Sequence, residues 1–149
     1  SAFNAAFLFG AILDGASLFD ADLSDACFNG ALMHKAHLFA ANLARANLMN
    51  ADLSSANLIR ANLVNANLRG ADLSDADLSD ADLSDADLSG TGFFFGKTKL
   101  YGANLSGANL SGTDLDEIKW DEATAWPAPE EVAKARNIPR ALKQQLGIA

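Results

Sequence analysis

Among 149 residues, the side chains whose types and spacing first suggest chemistry are two histidines, one cysteine and a run of aspartates. His34 and His37 stand three apart, with Asp14 twenty residues before the first and Asn57 twenty after the second. Two imidazoles and a carboxylate could hold a metal ion loosely. On an exposed convex surface they would lack the outer hydrogen bonds that orient metal ligands, so no metal, cofactor or catalytic role is expected. Cys27 is the sole cysteine and can form no disulfide within the chain. The aspartates Asp72, Asp75, Asp77, Asp80, Asp82, Asp85 and Asp87 could attract a cation, but the repeat lacks the Gly-Gly-x-Gly-x-Asp pattern of calcium-binding rolls.

The elements that must position these groups follow from a second pattern. Every fifth residue from Ala6 to Ala86 is alanine, and two places after each stands Leu, Phe or Met. Five residues in an α-helix advance about 500°, so the leucines would form no stripe. A strand alternates with period two, and an odd repeat would reverse the phase in each next unit. Each unit therefore contains a corner: a three-residue extended side with alanine and leucine inward, then two turn residues. Glycine marks one corner at Gly10, Gly30, Gly70 and Gly90, with Asn50 between, as suits a backbone of positive φ. That spacing gives twenty residues per coil, four sides, and a rise of about 4.8 Å between coils. The register shifts by two at Gly96-Lys97 and resumes as Thr98-Lys99-Leu100 and Ala103-Asn104-Leu105.

Tandem A-[DN]-L-x-x over residues 1 to 117 resembles the pentapeptide repeat family. The resemblance implies an all-β fold, a right-handed quadrilateral parallel β-helix, the hand that parallel crossovers generally adopt. Leu18, Leu38, Leu58 and Leu78 are expected in its core. The family implies no single function, since it includes gyrase-binding quinolone-resistance proteins that imitate DNA and many cyanobacterial and chloroplast-lumen proteins. By the same resemblance the compartment is thylakoid lumen, periplasm or cytoplasm.

After Leu115 the pattern stops, and residues 118–149 are expected to form a short helical cap. Pro129 and Pro139 each open a helical stretch, and Gly147 closes the second. Trp120, Trp126, Val132, Ile138, Leu142 and Leu146 are expected to cover the coil end; this tail also resembles those of cyanobacterial pentapeptide proteins. The chain opens inside the repeat at Ser1-Ala2-Phe3 with no methionine, as expected of a processed form or one that has lost upstream residues. No run of eighteen apolar residues is present, so no membrane insertion is expected.

Net charge is −8, distributed as −4 over residues 1–30, +3 over 31–70, −7 over 71–90, +2 over 91–113 and −2 over 114–149. The acidic block fills one coil and rings the prism, while Lys35, Arg45, Arg60 and Arg69 interrupt any lengthwise stripe. A solvated belt is favoured over DNA mimicry, and nucleic acid is not an expected partner. Apolar residues at outward positions are more suggestive. Phe19, Phe39 and Ile59 stack at twenty-residue spacing until Ser79 ends the run; Phe7, Phe9, Ile12, Leu32 and Met49 lie nearby, and Phe94 and Phe95 flank the insertion. Such a stripe marks contact with a protein partner or a second copy. Stapling of adjacent coils and cover by upstream residues are the alternatives. The expected function is a non-enzymatic protein-interaction or structural module, with a gyrase-directed DNA mimic as the runner-up.

Overall fold

The computed structural model describes residues 3–91 and 97–149. Parallel bridges join the middle residue of each side to the residue twenty further on, from Phe7 with Cys27 to Asn67 with Asp87. Past the insertion the step becomes 22, as in Asp77 with Lys99 and Asp87 with Asn109. Four sides per coil is therefore what the chain forms.

Backbone accounting explains why five residues suffice. The central N–H donates to the next coil (Leu38 to Asn57 O, 2.8 Å), and the middle N–H donates to the previous one (His37 to Ala16 O, 2.8 Å). The alanine N–H closes its own turn (Ala41 to Leu38 O, 3.0 Å), and the second turn N–H reaches the next coil (Ala40 to Ile59 O, 2.9 Å). The first turn N–H has no backbone partner in this scheme; Asp or Asn at the middle position supplies one. Asn62 Oδ1 accepts from Val64 N and Asn57 Oδ1 from Ile59 N, both at 3.1 Å. The local use expected of these amides is the one observed.

Left-handed backbone is not confined to the glycine corner. Every fifth residue from Ala5 to Gly90 has positive φ, Lys35, Ala40, Arg45 and Arg60 included. Resetting the alternation after an odd number of residues requires that turn in each unit, so the fold accepts about 1–2 kcal/mol of steric cost at a non-glycine corner. The glycine spacing reports the coil length correctly, but the φ requirement does not single out that corner.

Alanines and central residues fill the interior. Leu38, Leu58 and Leu78 are fully buried. Leu18, expected beside them, is only half-buried, because the described chain has no coil beyond it on that side. It lines an apolar depression of about 80 Å³ with Phe3, Leu8, Leu13, Leu23 and Phe28.

Pairing continues beyond residue 117. Lys99 bridges to Lys119, Asn104 to Ala125 and Asp114 to Arg136, which makes residues 118–137 a last, irregular coil. In that coil Trp120 and Trp126 take the central positions above Leu100 and Leu105. Among the described residues the helix Arg140–Leu146, not another coil, packs beyond them, and indoles fit where leucine would otherwise stand. They meet edge to face, with centroids 6.4 Å apart, and Trp120 Nε1 donates to Gln145 Oε1 at 2.9 Å. Two helices complete the end. α1 is Pro129–Val132, with Val132 buried; α2 is Arg140–Leu146, closed by Gly147 at φ 67. Leu142 is fully buried and Leu146 half-buried against the same core. No helix among the described residues is long and apolar enough to cross a membrane.

Candidate interaction surface

The apolar column occupies one corner, at the first turn residue of successive coils. Backbone bonds stack it: Asp20 N to Phe39 O at 3.0 Å, Ala40 N to Ile59 O at 2.9 Å, Arg60 N to Ser79 O at 3.0 Å and Asp80 N to Tyr101 O at 2.8 Å. Phe19 is 52% exposed, Phe39 and Ile59 are half-buried, and Tyr101 is 39% exposed. Ser79 therefore does not end the run. Tyr101 resumes it one coil later, and adding the two inserted residues to the twenty-residue step would have found it. Phe19 also lies against His37, with ring centroids 5.6 Å apart. Phe7, Phe9, Ile12 and Leu32 are exposed on the neighbouring early coils, Phe7 by 92%. Phe94 and Phe95 fall outside the described residues.

The histidines are engaged differently from a metal pair. The His34 N–H donates to Asp14 Oδ1 at 3.0 Å, so that carboxylate serves the backbone of the next coil. His34 Nδ1 lies 2.8 Å from Ser54 Oγ, whose own proton goes to Asp52 Oδ1. A serine that donates to a carboxylate has no proton for the imidazole, so Nδ1–H donates to Ser54 and the pair is not a base poised on a nucleophile. Among the described residues no three His, Cys, Asp or Glu side chains gather as metal ligands. Cys27 Sγ is half-buried and donates to Asn29 Oδ1 at 3.2 Å.

Among the described residues, charges are paired between coils in two places. Arg45 holds both oxygens of Asp25, through Nε and Nη2 at 2.7 Å each, and keeps that carboxyl below the usual aspartate range. Lys99 Nζ sits 3.3 Å from Asp77 Oδ2. Partial burial pushes the Asp77 carboxyl up, but bonds from the Ser79 hydroxyl, the Ser79 N–H and Lys99 outweigh it and leave the group lowered. Both pairs run along the prism and break the acidic surface lengthwise.

The sequence profile described as Pentapeptide repeats (8 copies) matches residues 2–34, 16–54, 31–70, 51–90 and 91–116. The chain belongs to the pentapeptide repeat family. Membership implies the right-handed β-helix expected from the repeat. Among solved structures it is similar to HetL, a pentapeptide repeat protein involved in heterocyst differentiation regulation from the cyanobacterium Nostoc sp. strain PCC 7120. The identity is 37%, over 78% of this chain and 58% of that one, with a TM-score of 0.45. It is 35% identical to Rfr23 from the cyanobacterium Cyanothece 51142, over 74% of this chain and 64% of that one, TM-score 0.45. Another pentapeptide repeat protein of Nostoc is 40% identical over 78% of this chain and 82% of its own length, TM-score 0.41. The chain thus spans less than two thirds of the length of the first two. No curated protein matches the sequence.

Proposed function

We propose that this pentapeptide repeat solenoid is a non-enzymatic module that presents its apolar corner to a protein partner or to a second copy of itself. One observation carries the reading: Phe19, Phe39 and Ile59 stand on three successive coils of one backbone-stacked corner, and Tyr101 follows on the same corner after Ser79, with Phe19 and Tyr101 exposed. Aromatic rings in contact with water, here Phe19 and Tyr101, offer anchors that bury area at small entropic cost. Phe94 and Phe95 belong to the same proposal. The test is the triple substitution Phe19→Ser, Phe39→Ser and Ile59→Ser, compared with the unaltered chain by native purification with crosslinking and by light scattering. Loss of a crosslinked partner or of self-association, with melting unchanged, is the expected result. Unchanged stability, oligomeric state and partners together would remove the contact role.

The alternative, a gyrase-directed DNA mimic, draws on the net charge of −8. Against it stand the Asp25–Arg45 and Asp77–Lys99 pairs and the exposed Arg60 and Arg69, which interrupt the lengthwise acidic stripe that imitation of a phosphate backbone needs. A gyrase supercoiling assay with and without a quinolone separates the two, and protection at stoichiometric amounts would favour the mimic.

A further inference from the structure

The corner diagonally opposite the apolar column carries a depression of about 400 Å³, lined by Met49, Asn50, Arg69, Gly70, Ser89 and Gly90. Three coils meet there, stacked by Asn50 N to Arg69 O at 2.9 Å and Gly70 N to Ser89 O at 3.1 Å. Missing side chains make the hollow. A Cβ on Gly70 would come within 2.4 Å of Asn50 Oδ1, so the Asn50 carboxamide lies in space that only glycine leaves open. At Gly90 a Cβ would meet nothing within 4 Å.

Asn50, Arg69 and Ser89 border the hollow, and none of their side chains has a hydrogen-bond or ion-pair partner among the described residues. Two contrasts are informative, one with an arginine at the second turn position of another corner and one with serines at the same turn position as Ser89. Arg45 stands on another corner with Asp25 one coil below and takes it bidentately; Arg69 has Met49 and Asn50 below and no acid to take. The Ser24 and Ser84 hydroxyls are held by the aspartate two residues earlier, at 2.7 and 2.6 Å; Asp87 Oδ1 accepts instead from the backbone N–H of Ser89 at 3.0 Å and from Asn109 Nδ2 at 3.2 Å, and not from the Ser89 hydroxyl.

From this geometry we infer that the depression is a binding site for a carboxylate group. The guanidinium fork matches two carboxylate oxygens, and the Ser89 hydroxyl and Asn50 amide supply donors for the remaining lone pairs. Met49 gives an apolar wall for the adjoining carbon. A single cation balances a single negative charge. The coil that contributes Ser89 also carries the seven aspartates from Asp72 to Asp87 and no cation; their field opposes every anion in proportion to its charge, and so opposes doubly charged hydrogen phosphate more than a singly charged carboxylate. The inference holds whether or not the apolar corner docks a protein.

The test is two-dimensional NMR of the ¹⁵N-labelled chain. It is titrated with sodium acetate, with an N-acetylated and C-amidated Ala-Glu-Ala peptide, and with inorganic phosphate, each against sodium chloride at equal ionic strength. Saturable shifts are expected at Arg69 Nε–H and at the Gly70 and Gly90 amides, and none at Arg60, an exposed arginine on the apolar corner. Arg69→Gln should weaken the apparent affinity at least tenfold while leaving the other cross-peaks in place. Tenfold tighter binding of the peptide than of acetate assigns the site to a carboxylate carried by a protein; equal or weaker binding assigns it to a free small carboxylate. Linear shifts, equal shifts at Arg60, persistence in Arg69→Gln, or tighter binding of phosphate would each overturn the inference.

Discussion

Truncating one central leucine at two heights in the solenoid tests the packing scheme directly. Leu58 is fully buried between Leu38 and Leu78, which are themselves fully buried. The backbone ladder fixes the coil spacing (Leu38 N to Asn57 O and Leu58 N to Asp77 O, both 2.8 Å), so neighbours cannot slide in to fill a gap. Leu58→Ala should therefore fall in the upper part of the usual range, about 3–5 kcal/mol. Leu18 stands in the same column but is half-buried beside an open apolar depression. It loses about half of a leucine's burial energy and creates no sealed cavity, so Leu18→Ala should cost about 1–2 kcal/mol. Urea denaturation followed by circular dichroism measures both, with the slope m checked for constancy because a solenoid can unfold piecewise. Equal costs at the two positions, or less than about 1 kcal/mol at Leu58, would refute the argument. Leu58→Asp should do worse than alanine, since it buries an unpaired carboxylate. An unchanged melting temperature for that variant would remove the inward assignment altogether.

Asn62→Ala deletes the acceptor of the Val64 N–H and should cost about 1–2 kcal/mol, whereas Asn62→Asp keeps the acceptor and should stay within about 0.5 kcal/mol of the parent; thermal melts decide, and equal losses would count against the turn role. Acid should destabilise the fold. The carboxyls of Asp22, bonded by the Ser24 hydroxyl, Asp25, bonded by Arg45, and Asp121, bonded by the Gly102 N–H, all lie below the ordinary aspartate value. Folded values below unfolded ones contribute stability that is present above about pH 4 and lost as pH falls through the folded values. The melting temperature should thus be nearly flat from pH 7 to 5 and drop below 4, less steeply in Asp25→Asn; a rise on acidification would contradict the sign.

What the sequence discloses and what it hides divide along a physical line. The five-residue period excludes helix and forces a corner in every unit, because both follow from the fixed geometry of the backbone. Left-handed φ at every corner is hidden, since Lys35, Ala40, Arg45 and Arg60 are not residues chosen for that region; the hydrogen-bond ladder imposes it on them. The tail shows the same division. Its indoles are recognisable as a cover for exposed leucines, but their places as central residues of a last coil are not. That coil steps by 20, 21 and 22 residues through Lys119, Ala125 and Arg136 and keeps no Ala-x-Leu unit. Tyr101 is legible only after the insertion is carried through the count. The carboxylate groove was invisible for a further reason: it depends on what side chains fail to do. Arg69 lacks the acid that Arg45 finds, the Ser89 hydroxyl lacks the aspartate bond that the Ser84 hydroxyl keeps, and Gly70 leaves room that Asn50 takes. In a repeat whose conforming residues are committed to the core and the ladder, an unpaired donor is where binding energy for another molecule is still available.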